Sequence, residues 1–238
     1  MNKISLAVAI SAIVGLSSCG DDEKIENSTG ASASYTIELN KESVAKSNAA
    51  LSGMNVAENN SDSVTDIAPK SLNVKSIMSE NIECDTGFMT MTADVDESSE
   101  IGEMSLVFSN CTFDEVTTNG ELEISVTDTM LKLMGSAYFS GIPDVTSLAY
   151  NNLNMVINFE TLNSTTTFDV DIVSTDLTGT LGFSIIDNDT SAITTITGAN
   201  NTKAIHEYNY DTYEEECSLN GDVIDCAELN LGGVILFK

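Results

Sequence analysis

The residue best suited to acid–base chemistry near neutral pH is His206, the only histidine among the 238 residues. A hydrolase of the Ser-His-Asp type would have to use this imidazole, yet no G-x-S-x-G sequence supplies its nucleophile. The sequence also contains no H-E-x-x-H zinc motif, no P-loop and no glycine pattern for a dinucleotide. Because His206 stands in a polar, Asn- and Tyr-rich stretch, we predict that it is a surface residue without a catalytic role.

Carboxylates are the other side chains that could do chemistry, since the chain has 37 acidic residues. Paired carboxylates could hydrolyse glycosidic bonds, but there is no tryptophan and aromatic residues make up only 6%, so platforms for sugar rings are scarce. Asp94 with Asp96, and Asp187 with Asp189, place oxygen ligands close together and are the candidates for calcium. Neither pair completes an EF-hand sequence and both suit acidic turns, so we predict no metal site and no cofactor.

Four cysteines besides Cys19 are expected to form two disulfides, because an even number of cysteines in an oxidising compartment favours pairing. Four cysteines allow three pairings. Opposed residues of an antiparallel hairpin have a constant sum of residue numbers, which selects Cys84–Cys111 and Cys217–Cys226. Neither pair has the C-x-x-C spacing of a zinc site.

Each pairing implies a strand register. The Cys84–Cys111 hairpin would place its turn at residues 97–98 and Met91 opposite Met104, so that apolar side chains meet across the strands.

The Cys217–Cys226 hairpin would use Gly221-Asp222 as a two-residue loop, which suits a primed turn. A competing register with Asn220-Gly221 as the loop would instead place Ile224 opposite Cys217. We favour the register that opposes the two cysteines.

The first 18 residues are organised like a signal peptide. A short cationic start is followed by an uncharged apolar run over residues 4–16. That run is too short for a membrane-spanning helix, which needs about 20 residues, and has the length of a signal-peptide core. The next four residues, Leu16-Ser17-Ser18-Cys19, resemble the lipobox of bacterial lipoproteins.

The resemblance to bacterial lipoproteins implies cleavage before Cys19 and attachment of acyl chains to that residue, which then anchors the protein to a membrane. Residues 19–34 are acidic and rich in small residues, which predicts a flexible tether. Gly20 stands where an aspartate marks inner-membrane retention in some bacteria. We therefore expect a place in the cell envelope on the outer membrane, at its periplasmic or surface face.

The charge of the chain excludes nucleic acid as a partner. The net charge is −28, and loss of Lys3 with the signal peptide leaves 8 basic against 37 acidic residues, a net charge of −29. Such a chain is repelled by DNA, RNA and anionic lipid. A protein or small-molecule partner of unknown identity remains open.

The mature chain divides into two parts. In residues 35–70 we predict a short strand at 35–39, a helix over 41–51 with Asn40 as its N-cap, and a polar linker over 53–70. In residues 71–238 apolar and polar residues alternate with period two between short turns, as in Leu122, Ile124 and the residues beside them. This predicts a mainly β domain, an antiparallel meander that is a curved open sheet, a sandwich or a barrel.

The sequence therefore favours a lipid-anchored, non-enzymatic β-rich module with a binding or structural role. One alternative is a lipid-anchored hydrolase that uses paired carboxylates. The other is a carrier of apolar ligands inside a half-barrel, with a concave face lined by residues such as Met155, Ile157 and Phe159.

Overall fold

The computed structural model describes residues 34–58, 78–96, 101–113 and 115–229. The predicted signal peptide, Cys19 and all but the last residue of the predicted tether lie outside the described residues. So do most of the predicted polar linker and the turn predicted at residues 97–98. Among the described residues, no helix has both the length and the apolar character needed to cross a bilayer.

Within the described ranges, twelve antiparallel strands form one open sheet in which strands adjacent in the chain are adjacent in space. This confirms the predicted antiparallel meander and, of the arrangements that the sequence allowed, shows the open sheet. The strands are β1 (Met78–Glu83), β2 (Thr86–Asp96), β3 (Ile101–Phe113), β4 (Val116–Val126), β5 (Met130–Ser140), β6 (Val145–Asn158), β7 (Ser164–Ser174), β8 (Thr178–Asp187), β9 (Ser191–Thr197), β10 (Lys203–Asn209), β11 (Glu215–Leu219) and β12 (Asp222–Ile224). In the described part of the chain two α-helices are present, α1 (Lys41–Glu58) before the sheet in sequence and the single turn α2 (Cys226–Leu229) after it.

One face of the sheet, the inner face, carries the buried core. Strand β7 shows the alternation, because Phe168, Val170 and Ile172 are buried while Asp169 and Asp171 lie on the opposite, outer face. Burying an aliphatic or aromatic side chain of this size contributes about 1.5–3 kcal/mol. Further core side chains from the inner face are Met91, Met104, Leu122, Ile124, Leu133, Leu148, Met155, Leu181, Phe183 and Ile196.

Helix α1 begins at a cap that the sequence predicted. The Asn40 Oδ1 accepts a hydrogen bond from the Ser43 N–H at 2.9 Å, and the Ser43 Oγ accepts one from the Asn40 N–H at 2.9 Å. Val44 is fully buried in the core. The helix continues to Glu58, so the assignment of residues 53–58 to a linker was wrong. Once the first turn is capped and packed, each further residue adds one hydrogen bond to an existing helix, which is far more favourable than nucleating a new one.

Residues 35–39 do not form the predicted strand. They run along the ends of strands β8 to β10 without joining the sheet. The amides of Thr36 and Ile37 donate to the carbonyl of Thr180 at 3.1 and 3.4 Å, and the Leu39 N–H donates to Thr202 Oγ1 at 3.0 Å. Ile37 and Leu39 are buried. Their alternation therefore reflects burial against the end of the sheet.

A row of irregular positions crosses strands β2 to β6. Register shifts occur at Gly87, Asn110 and Asn152, whose φ angles are 73°, 49° and 54°. On the strands between them, Gly120 and Gly135 have φ angles of 139° and 145°. Positive φ is accessible to glycine and, less readily, to asparagine. Extra residues and glycine kinks of this kind bend the strands locally and displace the pairing between neighbours.

Candidate functional site

His206 is buried, so the prediction that it lies on the surface was wrong. Only 4% of the residue is exposed, and in the sheet it lies between Thr194 of β9 and Cys217 of β11. The charged residues on either side of it at odd positions, Lys203 and Glu207, are exposed. The alternation of β10 therefore places the histidine on the inner face. The same alternation is visible in the sequence and could have predicted that His206 is buried.

The His206 imidazole has one polar contact and one nitrogen without a partner. Its Nε2 lies 3.2 Å from Oε2 of Glu215, whose side chain is 56% exposed. Its Nδ1 is buried and has no hydrogen-bond partner within the described part of the chain, and the same holds for Oγ1 of the opposed Thr194. A buried polar atom left without a partner costs about 1–3 kcal/mol. The inner face at β9 and β10 therefore holds two buried polar atoms without partners in the described residues.

A disulfide joins Cys217 to Cys226, which confirms the predicted pairing. The register behind that prediction was wrong, because Cys217 is opposite Ile224 and the loop is Asn220-Gly221. These loop residues have φ angles of 55° and 91°, the positive values that a type I′ turn requires. Cys226 reaches its partner because the chain leaves β12 and begins α2 there, which brings the two Cα atoms to 5.1 Å.

A second disulfide joins Cys84 to Cys111, also as predicted. Here too the register differs, since Met91 is opposite Leu106 and not Met104. A displacement of two residues keeps every side chain on its own face, so the core is unchanged. The register shifts at Gly87 and Asn110 change the pairing near the two cysteines, so that Cys84 and Cys111 still meet with their Cα atoms 5.3 Å apart.

His206, Cys217 and Cys226 are the group of possible metal ligands that the described residues bring together. One ligand atom of each residue lies within 4.8 Å of the others. The two sulfur atoms are bonded to each other in this structure, so the group is a disulfide with an imidazole beside it. The cysteine spacing argued against zinc, and nothing in the sequence pattern placed the histidine next to this pair.

Asp169 anchors a side-chain network on the outer face that the sequence analysis did not single out. It accepts hydrogen bonds from the Tyr35 hydroxyl at 3.0 Å and from Asn152 Nδ2 at 2.7 Å. Burial, together with the hydrogen bond and charge of Asp169, raises the pKa of Tyr35. The ring of Tyr35 lies against Gly182, where a Cβ would be only 2.3 Å from the tyrosine oxygen.

Asp171 lies two residues further along the same face of β7 and is held in a similar way. It accepts hydrogen bonds from Asn151 Nδ2 at 2.8 Å and from Thr180 Oγ1 at 2.5 Å. Asp169 and Asp171 are two carboxylates on one face of a strand, and carboxylates are the side chains that a glycosidase would use. Each of them, however, accepts hydrogen bonds from two neutral side chains of the fold.

The four candidates for calcium lie on strand β2 and at the end of strand β8 with the turn after it. Asp94 is exposed on β2 and Asp96 is the last residue of that strand. Asp187 is 3% exposed and accepts a hydrogen bond from the Tyr210 hydroxyl at 2.9 Å. Asp189 is exposed in the turn that follows. The carboxylates of Asp187 and Asp189 therefore differ in environment, one within the fold and one in solvent.

The apolar residues proposed to line a concave face belong to the core. Met155 is 2% exposed, and Ile157 and Phe159 are partly buried against the same cluster. Their apolar surface is thus in contact with other side chains of the protein.

No family model matches this chain. No curated protein and no solved structure is significantly similar to it either. A function for the protein therefore has to be argued from its own residues.

Proposed function

We propose that the protein is a bacterial envelope lipoprotein, anchored through lipid on Cys19, whose sheet domain is a non-enzymatic binding or structural module. The observation that carries this proposal is the state of four side chains that could act as an acid or a base. His206 and Asp187 are buried, and Asp169 and Asp171 each accept hydrogen bonds from two neighbouring side chains. Two of the four side chains are therefore enclosed by the fold, and the other two carboxylates are held by hydrogen bonds from neighbouring side chains.

The anchor rests on the resemblance of residues 16–19 to a lipobox. Each methylene buried in a bilayer contributes about 0.8 kcal/mol, so two or three acyl chains hold a protein to the membrane without help from its fold. Gly20 in place of an aspartate supports the outer membrane as the destination, with the domain at its periplasmic or surface face.

The binding surface in this proposal is the outer face of the sheet, because helix α1 packs into the core on the inner face. Glu103 on β3 and Glu121 and Glu123 on β4 are exposed on the outer face. The chain as a whole carries a net charge of −28. A surface of this sign favours partners that are cationic or uncharged, whether proteins or small molecules.

The two alternative functions have less support from the geometry. A carrier of apolar ligands needs an apolar face open to its cargo, whereas Met155 is 2% exposed. A hydrolase that used Asp169 and Asp171 would have to release the side chains that now donate hydrogen bonds to both carboxylates.

Metabolic labelling with a fatty-acid probe tests the anchor. We expect the wild-type protein to be labelled and recovered with membranes, and the Cys19→Ala variant to be unlabelled. Ser18→Ala is the matched control, because it keeps a small residue before the cysteine and should remain labelled. Label on the Cys19→Ala protein would refute lipidation at this residue.

A complementation assay tests the non-enzymatic role. Asp169→Asn and Asp171→Asn preserve side-chain size and remove both carboxylates. A deletion strain that carries the double variant should show the same envelope phenotype as a strain that carries the wild-type protein. A folded and correctly localised double variant that failed to complement would show that the two carboxylates act on a substrate or a partner, and would refute the purely structural role given to them here.

A further inference from the structure

One end of the inner face brings two sulfur atoms and one imidazole into a single group. Cys217 is directly opposite His206 in the pairing of β10 with β11, and Cys226 is joined to Cys217. One ligand atom of each of the three residues lies within 4.8 Å of the others. Two cysteine sulfurs and one histidine nitrogen are the donor set that zinc and copper(I) prefer, because thiolates are soft ligands and imidazole suits both ions.

The two ring nitrogens of His206 differ in their surroundings. Nε2 lies 3.2 Å from Oε2 of Glu215, and Nδ1 is buried without a hydrogen-bond partner in the described part of the chain. In metal sites, the histidine that binds the ion commonly donates its other ring N–H to a carboxylate, which fixes the orientation of the ring. Glu215 occupies the place of that carboxylate, which leaves Nδ1 as the ring nitrogen available to an ion.

We propose that reduction of the Cys217–Cys226 disulfide opens a binding site for one thiophilic metal ion of the zinc class. The ion is held by the two thiolates and by Nδ1 of His206, and Glu215 orients the imidazole. Three protein ligands leave the fourth position of a tetrahedral ion to water or to an external ligand. The oxidised protein does not bind the ion, because its sulfurs are bonded to each other.

The reductant in this proposal is a dithiol. Its first thiolate attacks the sulfur of Cys226, which is the more exposed of the two cysteines, and Cys217 leaves as a thiolate beside His206. The second thiol of the reductant then displaces Cys226, so the reductant ends as a disulfide and two electrons have passed to the protein. Binding of a divalent ion releases to water any proton that the two thiols still hold.

Cobalt(II) titration of the full-length chain tests the proposal, with Cys19→Ser introduced so that the disulfide cysteines are its only thiols. After reduction and removal of the reductant under argon, we expect one cobalt ion per chain and a thiolate-to-cobalt charge-transfer band. The oxidised chain should show no such band. A reduced chain without the band, or one whose circular dichroism showed loss of the sheet, would overturn the proposal, because the ligands meet only in the folded sheet.

Three variants assign the ligands. His206→Gln keeps both cysteines and should weaken cobalt binding by more than about 100-fold, and Glu215→Gln should weaken it by roughly 10- to 100-fold. Cys84→Ser/Cys111→Ser removes the other disulfide and should bind cobalt as the parent chain does. Equal affinity in the parent chain and the His206→Gln chain would overturn the proposal, as would loss of binding in the folded Cys84→Ser/Cys111→Ser chain.

Discussion

Truncation of His206 to alanine should destabilise the sheet domain, because the residue is 4% exposed and lies between β9 and β11. The change removes about 60 Å³ of side chain, and at about 24 cal/mol per Å³ the cavity costs about 1.5 kcal/mol. Loss of the apolar contacts of the ring adds about 1 kcal/mol. Removal of the unpartnered Nδ1 offsets about 1 kcal/mol. We therefore expect a net loss of about 1–2 kcal/mol.

A second substitution separates the effect of the cavity on the free energy of unfolding from the effect of the buried ring nitrogens. His206→Leu nearly preserves side-chain volume and removes both ring nitrogens, so its free energy of unfolding should lie within about 1 kcal/mol of wild type or above it. Glu215→Gln is the matched surface control, since that side chain is 56% exposed. It should change the free energy of unfolding by no more than about 0.5 kcal/mol.

Urea unfolding measured by far-ultraviolet circular dichroism is the assay, since the chain contains no tryptophan for fluorescence. The slope of free energy against urea should be the same for all four proteins, because each exposes the same surface when it unfolds. The midpoint of His206→Ala should be the lowest. If His206→Ala unfolded within about 0.5 kcal/mol of wild type, the imidazole would be a surface group and the inner face described here would be wrong at this position.

Three further predictions concern other parts of the fold. Gly135→Ala should lower the free energy of unfolding in urea by about 3–5 kcal/mol, because φ is 145° and the new Cβ would lie 2.1 Å from a carbonyl oxygen of β4. Gly221→Ala is the matched variant with open space around the new Cβ, and it should lower the free energy of unfolding by about 1–2 kcal/mol. Equal losses for the two glycine variants would contradict this. Cys84→Ser/Cys111→Ser should lower the free energy of unfolding by about 3.6 kcal/mol through loop entropy, and a loss below about 1 kcal/mol would argue against that estimate. Burial raises the pKa of Tyr150, so the stability that its neutral hydroxyl contributes is present below about pH 10 and is lost at higher pH. The Tyr150→Phe variant should therefore lose less free energy of unfolding than the wild-type protein between about pH 9 and 12. Identical pH profiles of the two proteins would count against burial of the hydroxyl.

The strands of the fold could be predicted because alternation is a local property of the sequence. Leu122 and Ile124 are buried and Glu121 and Glu123 are exposed, as period-two burial requires. Short turns between such strands leave no room for crossover helices, which is why the antiparallel meander followed from the sequence.

Strand registers could not be predicted, because they depend on residues that leave the regular pattern. Asn110 and Asn152 take positive φ angles within strands, and nothing in their neighbouring sequence separates them from other asparagines. The two disulfide pairings were predicted correctly because, in a meander, cysteines that are near in sequence lie on neighbouring strands, which leaves few other partners within reach. The Cys217–Cys226 register was wrong because α2, and not a continued strand, brings Cys226 to its partner.

The burial of His206 did not follow from the polarity of the surrounding residues, because in a strand the face of the sheet decides burial. Ala204 and His206 share one face of β10, while the charged Lys203 and Glu207 share the other. The place of His206 beside a disulfide depends on pairing between three strands, which no local pattern in the sequence encodes.

The central claim is that the mature protein begins at a lipidated Cys19, and mass spectrometry of its N-terminal peptide tests this most directly. The protein would be extracted from membranes in detergent and digested before analysis. We predict a peptide that begins at Cys19 and is heavier than its sequence by a diacylglycerol group, with or without a further acyl chain on the amine. A mature protein that began at another residue, or that carried an unmodified Cys19, would contradict the account.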